Sequence, residues 1–264
     1  MLLLCLEAVL GITRWTDVSE IRAGYCRPSL TVCLPVHSAA QMPGSSKQLL
    51  ALTSHSVVIS LYPAEEAKIE VEIKAEHGKL NCDFPAHSKD DGLYKLTAKS
   101  DGSFVYSDSK QYHQLFYDLT LDSKALGESS ADSKFAADID ATKAFCVSSA
   151  DACTFLERAA DAYLLNTKEA ADFITFVLPR MEMSPWTLIE FCPARYLQHI
   201  PLRVSPKPDV MIRLLVLMRA LESAVECGLD AAKSTFPQCP SERKGFVVCE
   251  WGAVDLDDNA WHIA

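Results

Sequence analysis

Two apolar runs each carry one charged residue in their interior. In residues 210–218, VMIRLLVLM, it is Arg213, and in residues 246–251, FVVCEW, it is Glu250. An unpaired ion buried in a sheet costs several kcal/mol, so each must be paired or line a cavity. With Asp118, Trp251 and Tyr62 they make up a constellation that strand packing would bring together. Two carboxylates, Asp118 and Glu250, beside Arg213 suit acid–base work of the kind used in glycoside hydrolysis, provided that they lie within about 10 Å of each other. Trp251 next to a carboxylate, with Arg213 and Tyr62 nearby, suits binding of a sugar or a peptide without reaction. The plainer reading has Arg213 and Glu250 neutralising each other across neighbouring strands, with Trp251 and Tyr62 as core aromatics.

Other chemistry leaves little trace. The chain has no G-x-S-x-G elbow, G-x-x-x-x-G-K-[ST] loop, G-x-G-x-x-G fingerprint or H-E-x-x-H motif. Glycine is scarce, at 10 residues, which disfavours a backbone phosphate cradle. His77, His87 and His113 are spaced too irregularly to suggest a metal site, so no metal and no cofactor is expected. The 10 cysteines show neither C-x-x-C nor zinc-finger spacing. They read as small core residues or free thiols in a reducing compartment, with a Cys227–Cys239 disulfide as the alternative.

The elements that would hold these residues follow from periodicity. Residues 57–62 form a short strand, and residues 67–74, AKIEVEIK, alternate so that Ile69, Val71 and Ile73 face inward. Turn signals at Gly78, Asp91-Gly92 and Asp101-Gly102 separate strands at 79–84, 94–98 and 103–107, and 112–121 is a further aromatic-rich strand. Residues 55–121 thus read as an antiparallel meander that folds into a sandwich or curled sheet. Residues 122–140, rich in Ser, Ala and Asp, read as an exposed insertion. A helix over 151–164, capped by Ser148 or Ser149, precedes one over 168–177, capped by Asn166 or Thr167 and ended by Pro179. Strands at 186–191, 200–204, 210–218 and 246–251 complete the core, and residues 253–264 form an acidic tail.

The residues that carry these strands also carry a resemblance. The segments VVISLYPAEEAKIEVEI, WTLIEFCP, SPKPDVMIRLLVLMRAL and RKGFVVCEWG resemble a family of uncharacterised, mostly bacterial proteins with an IYLYP-type first strand, an LP-x-M segment, an SPKPD-x-x-x-R strand and a terminal KGF-x-VVEWGG motif. The match is collinear from about Val57 to Gly252 and brings no assigned function. Cys249 stands where that family has Val, Ala253 replaces its second terminal Gly, and Phe116-Tyr117-Asp118 replaces an aromatic-Trp-Glu-Gly sequence.

The expected fold class is therefore α+β: an antiparallel, sandwich-like sheet core with a helical hairpin packed on it, in one domain over residues 49–264. Residues 1–48 read as an apolar arm and a Pro-containing linker, serving either as a docking arm or as an organelle-targeting leader. The apolar start is too short to span a bilayer. A net charge of -10 disfavours nucleic acid as a partner. The expected function is a non-catalytic binding or accessory subunit acting through protein–protein contacts, in a larger assembly reached through the arm. The alternative is a hydrolase-like or carbohydrate-binding protein using the carboxylate, arginine and tryptophan residues.

Overall fold

The computed structural model describes residues 54–74, 78–86, 92–107, 109–121, 139–191 and 193–256. The arm and linker over 1–48, the insertion up to 138, His77, His87 and the tail from 257 lie outside the described residues.

Strands run over β1 Ser54–Tyr62, β2 Ala67–Ile73, β3 Gly78–Phe84, β4 Leu93–Ala98, β5 Phe104–Val105, β6 Gln111–Tyr112, β7 Leu115–Leu121 and β8 Ala144–Ser148. After the helices α1 Ala152–Ala162 and α2 Thr167–Met181 come β9 Trp186–Phe191, the short α3 Ala194–Leu197, β10 Leu202–Ser205, β11 Val210–Leu221 and β12 Val247–Asp255. The class is α+β, with two sheets and a helical hairpin packed on one of them. A seven-stranded sheet has the order β3-β7-β1-β12-β11-β9-β8, and a five-stranded sheet the order β10-β2-β4-β5-β6. Among the described residues no helix is long and apolar enough to cross a membrane.

The larger sheet is the middle of three layers. Ile212, Leu214, Val216 and Met218 of β11 and Val247, Cys249, Trp251 and Ala253 of β12 pack with Phe155 of α1 and Phe173 and Val177 of α2. Their alternate neighbours Leu215, Leu217, Val248 and Val254 pack instead with Ile69, Val71, Tyr94 and Leu96 of the smaller sheet. Covering both faces removes the need for polar alternation, which is why β11 and β12 are continuous apolar runs. Among the described residues the small sheet is covered on one side only, so in β2 Ile69, Val71 and Ile73 are buried while Lys68 and Glu70 are exposed.

Three features depart from the expected elements. The strands of 54–121 do not form a simple meander: β1, β3 and β7 belong to the larger sheet, and β2, β4, β5 and β6 to the smaller. Four residues, 63–66, suffice to carry the chain from β1 to β2, because packed sheets lie about 10 Å apart. The strand expected over 112–121 is interrupted after Tyr112, where the chain crosses from one sheet to the other. Helix α2 continues through Pro179 to Met181. Proline in the last turn removes one backbone donor, at a cost of about 3 kcal/mol in a helix interior and less near an end. Complete burial of Phe173, Val177 and Met181 on one stripe outweighs it, at about 1.5–3 kcal/mol per side chain.

The helix caps and the central strand pair are set by local hydrogen bonds. Asn166 caps α2 in a full capping box: its side chain accepts the Glu169 N–H at 2.9 Å, and the Glu169 carboxylate accepts the Asn166 N–H at 2.8 Å. At α1 the N-cap is Asp151, which makes no side-chain cap, and Ser148 instead donates to its carboxylate at 2.5 Å. Strands β11 and β12 are parallel, with Arg213 directly opposite Glu250. Their common start is clasped by Asp209, whose carboxylate accepts the Phe246 N–H at 2.7 Å while its own N–H donates to the Phe246 carbonyl at 2.9 Å. Gly245 makes this approach possible, since its φ is +64° and a Cβ there would lie 2.2 Å from the Asp209 carboxylate.

Candidate functional site

Strand register decides which face each candidate residue occupies. Asp118 is opposite Ser56, and Ser56 is opposite Ala253, which packs under the helices. Glu250 is opposite Ile59 and Arg213, on the face covered by the smaller sheet. The two carboxylates therefore point to opposite sides of the sheet and cannot flank one scissile bond as an acid–base pair. Tyr62 and Trp251 share the side of Asp118, but they are opposite Val247 and Val58 respectively, four positions apart along β12. The five residues form separate sites, not one cleft.

Arg213 and Glu250 do meet, in the interior between the sheets. Glu250 is fully buried, and the Arg213 side chain is 19% exposed. The Arg213 Nε–H donates to one oxygen of Glu250, and the hydroxyl of Tyr117 in β7 donates to the other at 2.8 Å. The Arg213 Nη2 group also donates to the Ile200 carbonyl at 2.8 Å. Both carboxylate oxygens thus have donors, which is what makes a buried charge tolerable. Burial, followed by the neighbouring Glu250 charge, pushes the Tyr117 hydroxyl well above its usual pKa, so it remains a proton donor in this bond.

Trp251 is buried, not a platform for a sugar. Its ring lies edge-on to Phe173 at 6.1 Å and Phe176 at 5.8 Å, and its indole N–H has no hydrogen-bond partner among the described residues. Such edge-to-face contacts contribute about 0.5–1.5 kcal/mol beyond simple burial. Asp118 takes part in a polar network on the outer side of the sheet, accepting from Ser56 Oγ at 3.0 Å and from Asn81 Nδ2 at 2.7 Å. Asn81 also donates to Thr120 Oγ1 at 2.8 Å.

Tyr62 belongs to a second buried ion pair that sequence reasoning did not anticipate. Glu169, fully buried, receives both Nη groups of Arg243, at 2.7 and 2.9 Å. This is the bidentate geometry that a guanidinium favours. The Arg243 guanidinium lies 4.9 Å from the Tyr62 ring centroid, and the Tyr62 hydroxyl accepts from Asn166 Nδ2 at 2.9 Å. Burial alone would lower the Arg243 pKa, but the hydrogen bonds and charge of Glu169 outweigh it and hold it above the usual value. Burial and then Glu169 push the Tyr62 hydroxyl and the Cys249 thiol up, which keeps Cys249 protonated and a poor nucleophile. Glu169 reads in the sequence as a helix-dipole residue, and nothing there connects it to a partner 74 residues away.

His113 is exposed in the turn between β6 and β7. Among the described residues no group of three or more His, Cys, Asp or Glu side chains could hold a metal ion. Cys227 and Cys239 are both free thiols, so the alternative disulfide between them is not formed. Comparison of the chain with protein-family models, with curated proteins and with solved structures gave no match in any of the three.

Proposed function

We propose that this chain is a non-catalytic binding or accessory module that works through protein–protein contacts. The observation that carries this reading is how the buried charges are used. Arg213 is paired with Glu250, and Arg243 with Glu169, and both carboxylates are sealed from solvent. The hydrolase-like and carbohydrate-binding alternative requires Asp118, Glu250, Arg213 and Trp251 in one cleft, and it draws no support from this arrangement.

A partner has apolar side chains to cover. Phe84, at the end of β3, is 60% exposed and lies edge-on to Tyr112 of β6, and Met183 is 67% exposed. With a net charge of -10, the chain favours a partner with a neutral or basic contact surface. Docking through residues 1–48 adds a second route to the same assembly. The free thiols of all six described cysteines support residence in a reducing compartment.

The test is native mass measurement of the tagged full-length protein at its own expression level. The expected species is an assembly heavier than the 29.1 kDa chain, which Phe84→Ser shifts towards the free chain. A 29.1 kDa monomer at every concentration would overturn the proposal.

A further inference from the structure

We propose that Cys146 and Cys227 are a thiol pair that hydrogen peroxide converts to a disulfide, stapling the long β11–β12 connection to strand β8. Cys146 and Cys227 are both half-buried and border one cavity of about 510 Å³, together with Phe155, Arg158, Val225 and Leu229. A small oxidant can reach such a place. The connection runs along β8: Leu229 bridges to Phe145, its N–H donates to the Ala144 carbonyl at 3.3 Å, and the Gly228 N–H donates to Ala141 at 2.9 Å. Gly228 is required for this approach, because a Cβ there would lie 2.0 Å from the Thr142 carbonyl oxygen.

Cys146 and Cys227 both belong to the side of β8 that faces away from the helices. Phe145 and Val147 point towards the helices, so Cys146 points the other way, and Cys227 packs against the core on that other side. The Val225 N–H donates to Cys146 Sγ at 3.5 Å, two residues from Cys227. Burial, and then Cys146 itself, push the Cys227 thiol up, so Cys227 stays protonated until the sulfenic acid forms beside it.

In the first step the Cys146 thiolate attacks one peroxide oxygen. The O–O bond breaks, and the products are a sulfenic acid and a hydroxide that is protonated to water. The Cys227 sulfur, giving up its proton, then attacks the sulfenic sulfur. The S–S bond forms, the S–O bond breaks, and a second water leaves. The two sulfurs lose the two electrons that the peroxide gains. Cys249 is sealed in the core, and Cys153 and Cys239 are exposed, so none of them shares this cavity wall.

The test is peroxide titration of the folded full-length protein, then alkylation and peptide mapping. The expected result is loss of two alkylatable thiols, recovery of a Cys146–Cys227 linked peptide, and reversal by dithiothreitol. Cys227→Ser should leave Cys146 as a sulfenic acid that dimedone captures, Cys146→Ser should leave Cys227 alkylatable, and Cys153→Ser should leave the link intact. Full alkylation of both thiols after peroxide, linkage of either to another cysteine, or linkage between two molecules would overturn the proposal. The wild-type map decides this even if a serine variant fails to fold.

Discussion

Replacing Glu250 by Gln tests whether the Arg213 pair is an architectural requirement. The substitution keeps the shape and an oxygen for the Tyr117 hydroxyl but removes the charge that compensates Arg213. Breaking a buried pair from one side costs about 3–5 kcal/mol, because the surviving charge is left uncompensated. Arg213 is 19% exposed and keeps its bond to the Ile200 carbonyl, so the lower end of that range applies. About 3 kcal/mol corresponds to a fall in Tm of about 6–12 °C for a folded region of this size. Urea unfolding, followed by far-UV circular dichroism, measures the loss directly. The triple variant Arg213→Met, Glu250→Leu, Tyr117→Phe removes all three polar partners together and should recover most of it, since apolar replacements of buried pairs are often neutral or stabilising. Tyr117 must be included, because its hydroxyl would otherwise lose its acceptor at about 1–3 kcal/mol. A Glu250→Gln protein within about 1 kcal/mol of wild type would refute the reasoning, as that is the range of solvated surface pairs.

Two further outcomes can be checked. Gly245→Ala should destabilise by at least about 1–2 kcal/mol from its left-handed backbone alone, with more from the clash at Asp209, and Asp209→Ala should relieve that clash in the double variant; paired unfolding curves measure both. The hydroxyls of Tyr62, Tyr94 and Tyr117 are all pushed up, in each case by burial first, and Tyr94 is raised further by donating to the Asp83 carboxylate. These groups stay neutral in the folded chain while their unfolded counterparts ionise near about pH 10. Their contribution to stability is therefore complete below that pH and is lost progressively as the pH rises from it towards the raised folded values, so alkaline unfolding should set in above about pH 10 and tyrosinate absorbance should appear cooperatively with it.

The amino-acid sequence revealed most where burial is two-sided. The runs around Arg213 and Glu250 have no polar alternation to confuse their assignment, and the cost of burying a lone charge requires those two residues to meet. Tyr117 was legible only as one aromatic of a strand, because its role depends on the register of β7, β1 and β12 together. Strand β8 escaped because AFCVS is five residues long and follows a Ser, Ala and Asp-rich stretch; its burial comes from β9 and α1, not from its own pattern. The alternation of the chain between two sheets was equally hidden, since a short turn looks the same whether it reverses the chain within a sheet or carries it to the next one. Glu169 and Arg243 carry no local sign of each other, and only the packing of α2 against β12 brings them together.

The position of β12 has a consequence for biosynthesis. It is the last described strand, and it lies between β1, the first, and β11. As the polypeptide emerges from the ribosome, those two strands remain unjoined, each with an open row of backbone donors and acceptors beside apolar side chains, until residues after Val247 are released. Closure of the sheet therefore waits for β12 to leave the ribosome, and a truncation ahead of Val247 leaves β1 and β11 without the strand that joins them.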